Sequence, residues 1–143
     1  MRVVDVNILV YAHRQDSPRH EDFQGWLEVA RQADEPLGLS TMVLSGFVRV
    51  VTHPRVFKDP TPLSVALDFC EELRTTPNAV ELVPGRRHWA IFETLCRSID
   101  ARGNDVPDAF LAALTIEAGG TWWSADRGFA RFRDLRWRHP LDG

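Results

Sequence analysis

Cysteine is scarce in this chain: Cys70 and Cys96 are the only two among 143 residues. Each falls on the apolar stripe of a predicted helix, without metal-ligand spacing. A disulfide framework or a zinc cage is therefore not indicated, and the pair reads as small buried apolar residues. Long apolar runs are also missing. The longest are short and broken by charge, which excludes a transmembrane helix. The opening stretch MRVVDVNILVYAHR is apolar but carries Asp5 in its middle, where a secretory signal would not place an acid. The expected compartment is the cytoplasm, with no membrane partner. Linkers, repeats and low-complexity tracts are absent as well, so residues 1–143 are expected to form a single domain. Lysine occurs once, against 16 arginines. The net charge of −3 and the pI of about 5.9 argue against a protein that is basic all over, as dedicated nucleic-acid binders usually are. The charge is nonetheless uneven: the segment from Arg127 to the end carries +3, and the remainder −6.

What is present is an alternation of short β-rich runs and amphipathic helices. RVVDV (2–6) reads as a buried strand, followed by a short helix from Ile8 to His13 that Asn7 caps. Ser17 and Pro18 open a helix through Phe23, Trp26, Leu27 and Ala30, ending near Ala33. PLGLS (36–40) is a second strand. Ser40 or Thr41 starts the helix of Val43, Phe47, Val50 and Val51, which Pro54 stops. Pro62 opens another, with Leu63, Ala66, Cys70 and Leu73 on one face. VELV (80–83) is a third strand, and a helix runs from about Arg86 past Ile99 to Gly103. The stretch beginning VPDAF forms a helix up to Gly119 and Gly120. TWWSAD (121–126) is strand then turn, Gly128 to Phe132 a short helix, and LRWRH (135–139) a last strand. Trp122 and Trp123 are read as core rather than as base-stacking residues. The alternation implies an α/β fold with a parallel sheet covered on both faces. Ligands of such folds bind at the carboxyl ends of the strands.

Three acids fall near those ends. Asp5 follows Val4 in the first strand, Asp126 comes two residues after Ser124, and Asp108 sits in the first turn of the VPDAF helix. Each also has an ordinary structural reading. Asp108 favours the helix dipole or, with Asp105, a capping arrangement. Asp126 suits the N-cap of the short helix after it. Asp5 is harder to dismiss, because an acid in a Val-rich strand loses solvation. Two carboxylates about 5 Å apart repel by roughly 3 kcal/mol at an effective dielectric near 20. Protonation of one acid relieves that repulsion, and so does a divalent cation with all acids ionised. Oxygen donors without a His or Cys cluster suit Mg²⁺ or Mn²⁺ rather than zinc.

The ordered set DVN, VPDAFLAA and SADRGF, together with LSTMVLSGFVRVVTHPRVF and the closing LRWRHPL, resembles the PIN-domain family. More closely, it resembles the VapC-type ribonuclease toxins of bacterial toxin–antitoxin pairs, over essentially the whole chain. The resemblance implies a three-layer α/β/α PIN-like fold with a short central parallel sheet. It further implies Mg²⁺- or Mn²⁺-dependent cleavage of RNA, leaving a 3′-hydroxyl and a 5′-phosphate. A VapB-type antitoxin and a homodimer are implied as partners. Asp5, Asp108 and Asp126 become the metal ligands and catalytic acids, and Asn7 and Ser124 support them by hydrogen bonds. Arg127, Arg131 and Arg133 stand just beyond the third acid, where contact with RNA phosphates is expected. One departure stands out. The family commonly carries Glu in the helix after the second strand, where this chain has Gly46. Glu21 and Asp105 are the nearest replacements in kind. The departure supports an alternative, a weak or inert PIN-like module that binds RNA or protein. A nuclease acting on structured DNA is disfavoured by the lack of any arch or clamp segment.

Overall fold

The computed structural model describes residues 1–143. Its elements in chain order are β1 (Arg2–Val4), α1 (Val6–His13), α2 (His20–Gln32), β2 (Leu37–Ser40), α3 (Thr41–Val51), α4 (Leu63–Arg74), β3 (Ala79–Leu82), α5 (His88–Ile99), α6 (Asp105–Glu117), β4 (Thr121–Trp123), a 3-10 helix (Arg127–Arg131) and β5 (Trp137–Arg138). The five strands form one sheet in the order β3-β2-β1-β4-β5, and every pairing is parallel. Helices cover it: α1 packs with α2 and α3, α3 with α4, and α5 runs along α6, which contacts β4. The expected α/β/α architecture is the observed one.

The strand order explains where a site can form. From β1 the chain moves outward through β2 to β3, then returns to the other side of β1 for β4 and β5. The connections after β1 and after β4 therefore leave in different directions, and a crevice opens between their carboxyl ends. The central strands are dominated by apolar side chains because both faces are covered. Val3, Val4, Leu37 and Trp122 are fully buried. At the sheet edge β3 leaves Val80 and Glu81 exposed.

Several boundaries differ from the sequence reading. The first strand ends at Val4, not Val6, because Asp5 turns the chain. Its backbone is extended (φ −83°, ψ 160°) and its side chain accepts a hydrogen bond from the Val6 N–H. Asp5, and not Asn7, is therefore the cap of α1. The second helix starts at His20 and not at Ser17, since Arg19 takes the left-handed conformation (φ 56°) just before it. The helix expected from Arg86 begins at His88. Before it, the N–H groups of Gly85 and Arg87 are tied to the Glu117 carboxylate (2.7 and 2.9 Å). The last strand shrinks to Trp137–Arg138. Gly119, at φ 68°, ends α6 in the left-handed region that glycine tolerates best, turning the chain into β4.

Trp122 is the largest fully buried side chain, and its ring lies 5.2 Å from that of Phe129. It fixes β4 and the 3-10 helix to each other. Trp122→Ala should destabilise the protein by roughly 3–5 kcal/mol, read as a lowered urea midpoint. An unchanged midpoint would mean that this contact does not anchor the segment.

Candidate functional site

Asp5 and Ser124 face each other across the seam between β1 and β4. The backbone prepares the meeting: the Asp5 N–H donates to the Trp123 carbonyl at 3.0 Å, extending the β1–β4 ladder by one rung. The Ser124 hydroxyl donates to Asp5 Oδ2 at 2.6 Å. It accepts in turn from the Asn7 side-chain amide (3.1 Å) and from the Asp126 N–H (2.9 Å). The hydroxyl thus uses its one donor and both acceptor positions. Asn7 also donates to Asp5 Oδ2 (3.2 Å), and its Oδ1 accepts from the Ala125 N–H (3.1 Å). Asn7 and Ser124, expected to support the acids, are drawn directly onto Asp5.

Burial shapes the electrostatics. Asp5 is only 8% exposed. Desolvation pushes its carboxyl up to about 6, against the pull of the Ser124 and Val6 hydrogen bonds, and the negative charges of Asp108 and Asp126 push it further the same way. Asp108 is also raised, chiefly by burial, with Arg131 opposing and Asp126 and Asp105 adding repulsion. The three sequence-predicted acids therefore share one electrostatic environment. Asp126 caps the 3-10 helix, its Oδ1 accepting from the Gly128 N–H at 2.8 Å. Asp108 Oδ2 accepts from Arg131 at 2.8 Å, and the same Arg131 nitrogen reaches Asp105 Oδ1 at 3.2 Å.

The arginines behave differently from one another. Arg131 lies among the acids. Arg127 forms a two-pronged pair with Asp142, at 3.0 Å on each prong, and Arg133 is exposed. Trp122 is core as expected, whereas Trp123 is half-buried against Trp26, their rings 5.0 Å apart. Of the two replacements considered for the absent Glu, Asp105 joins the acids through Arg131. Glu21 instead belongs to a polar cavity with Gln15, Arg19 and His20. Gly46 sits against Val6: a Cβ there would lie 3.0 Å from Val6 Cγ2. Sequence reasoning did not foresee the pairing of Arg131 with Asp105 and Asp108. Only the spacing of Asp105 and Asp108, one helical turn apart on a shared face, hinted at it.

As the side chains stand, no group of three or more Asp, Glu, His or Cys residues is arranged to hold a metal ion. Asp108 is turned to Arg131 and Asp126 to Gly128. The chemistry nevertheless suits a hard divalent cation. The donors are carboxylate oxygens, and Asp108 Oδ1 and Asp126 Oδ2 accept no hydrogen bond, the bonds going to the other oxygen of each.

A family model described as PIN domain matches residues 2–135. Ribonuclease VapC43 of Mycobacterium tuberculosis is 56% identical over 143 residues, covering all of this chain and 97% of that protein. Ribonuclease VapC25 of the same organism is 36% identical over 140 residues, covering 98% and 99%. Among solved structures, VapBC2 from Rickettsia felis bound to a promoter DNA fragment matches with a TM-score of 0.70 at 15% identity, covering 96% of this chain and 97% of that one. VapC20 of Mycobacterium tuberculosis, a toxin that cleaves the Sarcin-Ricin loop, matches with a TM-score of 0.64 at 16% identity, covering 95% and 99%.

The raised carboxyl of Asp5 has a measurable consequence. Below the ordinary value of 3.8 it is protonated whether the chain is folded or not. As pH rises the unfolded chain ionises first, so folding loses stability up to about pH 6. The loss is then complete, at about 3 kcal/mol. Asparagine cannot ionise. The stability of Asp5→Asn relative to the parent chain should therefore rise between pH 4 and 7, measured by urea unfolding in EDTA. A flat difference would show that burial does not perturb Asp5.

Proposed function

The chain belongs to the PIN-domain family, and from that premise we propose that it is a Mg²⁺- or Mn²⁺-dependent endoribonuclease of the VapC type, the toxin of a toxin–antitoxin pair. The observation that carries this reading is the hydrogen-bonded linkage of the acids: Ser124 joins Asp5 to the Asp126 backbone, and Arg131 joins Asp108 to the Gly128 that Asp126 caps. The names of the end-to-end relatives support it. The whole of 1–143 acts as one PIN domain, in the cytoplasm. It functions as a homodimer, and it is silenced by a VapB-type antitoxin, the second reading supported by the VapBC assemblies among its structural neighbours.

In this mechanism Asp5, Asp108 and Asp126 would hold the divalent ion as the catalytic carboxylates. When bound, the ion supplies Lewis acidity at the scissile phosphate and a water more acidic than bulk. Asn7 and Ser124 hold Asp5 in one orientation through Oδ2, and with Val6 N–H on Oδ1 one acceptor position, on Oδ1, is left for the ion. The Ser124 proton stays on its own oxygen, because an alcohol is a far weaker acid than the carboxyl it donates to. Asp126 keeps Oδ1 on Gly128 and presents Oδ2. Of the three arginines expected at RNA phosphates, Arg133 is exposed and free to offset backbone charge, whereas Arg127 is engaged by Asp142 and Arg131 by Asp105 and Asp108.

The absent Glu favours a second reading, a weak or inert PIN-like module that binds RNA or protein. Gly46 offers no ligand, and a side chain there would need the Val6 methyl to give way by a few tenths of an ångström.

The decisive experiment incubates the purified chain with total RNA, with Mg²⁺, with Mn²⁺ or with EDTA, and maps the ends by sequencing. Cleavage is expected only with metal. Ser124→Ala should lower it roughly 10–100-fold, as loss of a ligand-orienting partner does, and Asp5→Ala should lower it more. Metal-independent cleavage, or full activity in Asp5→Ala, would defeat the assignment. A further variant addresses Gly46. Gly46→Glu alone would strain against Val6, so it is combined with Val6→Ala. If Gly46 limits the site, the double variant binds Mg²⁺ more tightly by isothermal titration than Val6→Ala alone. Equal affinity would show that the missing carboxylate is not limiting.

A further inference from the structure

Arg131 stands inside the acidic site. It ends the 3-10 helix that Asp126 caps. One guanidinium nitrogen bridges Asp108 and Asp105 at 2.8 and 3.2 Å, and the other donates to the Gly128 carbonyl. The Gly128 N–H is the group that Asp126 Oδ1 accepts. A Cβ on Gly128 would meet both Asp126 Oδ1 (2.9 Å) and Arg131 Nη1 (3.2 Å), so the cation and the third acid converge on one glycine. The guanidinium lies 4.5 Å from the Phe132 ring centroid. Its Nε is buried without a partner, so the acids and the ring hold the side chain at the cost of one unmade hydrogen bond.

We propose that Arg131 is an internal counter-ion that competes with the divalent cation for Asp108 and thereby sets the metal affinity of the site. This inference rests on the metal-binding reading above. A guanidinium this close opposes a dication whichever Asp108 oxygen the ion uses. Asp105 gives the competition its reversibility. When Arg131 leaves Asp108 it still has a carboxylate partner, so the displaced cation is not stranded. Because Arg131 ends the five-residue turn that Asp126 caps, its displacement also frees the surroundings of the third acid.

The test measures free Mn²⁺ by electron paramagnetic resonance during titration of the EDTA-stripped full chain. It compares the parent with Arg131→Gln and with Arg131→Met, the second of which keeps an unbranched stem to pack on Phe132. Circular dichroism identifies any variant that does not fold. Both variants are expected to bind Mn²⁺ roughly tenfold or more tightly than the parent, as removal of a like charge beside a dication requires. Unchanged affinity would overturn the proposal. So would weaker binding, which would make Arg131 a residue that positions Asp108 for the ion. In either case the parent still binds Mn²⁺ and the metal-binding reading survives. Absence of Mn²⁺ binding in all three proteins would overturn both.

Discussion

Ser124 donates its hydroxyl proton to Asp5 across 119 residues of chain, and much of the site depends on that contact. It joins the ends of two neighbouring parallel strands where their connections diverge. Once made, it fixes Asp5, presents an acceptor to the Asp126 N–H and leaves one for Asn7. A single buried hydroxyl thus relates the first acid to the third. Polar networks of this kind hold one arrangement well only when every member is satisfied, and the Ser124 hydroxyl is.

The same burial that makes the network rigid makes its charges costly. Asp5 is desolvated, and Asp108 is raised as well. The fold answers locally with backbone N–H groups at Val6 and Gly128 and with the Arg131 guanidinium. None of these removes the shared negative potential. Free-energy cost concentrated at one crevice, while the apolar core is continuous elsewhere, is the usual mark of a site kept for chemistry rather than stability.

Gly46 shows how a missing side chain acts through packing. Sequence alone presents it as an absent carboxylate. In three dimensions it is also a close approach of α3 to Val6, the residue that follows Asp5. A larger residue there would press on the turn that holds the first acid.

The order of elements, the parallel sheet and the three acids were legible in the sequence. Hydrophobic period and helix-capping residues are local properties, and the acids interrupt otherwise apolar surroundings. Element boundaries were less legible: Asp5 took the cap that Asn7 was expected to fill, and Arg19 broke the helix start. A one-residue change in hydrogen-bond partner decides such ends. Only the tertiary structure decided that Ser124 meets Asp5, that Arg131 and not Arg127 enters the acid cluster, and that Asp105 rather than Glu21 lies beside it. Those pairings follow from strand order and from which way one short 3-10 turn faces. Contacts between residues far apart in the chain leave no periodic trace in the sequence that encodes them.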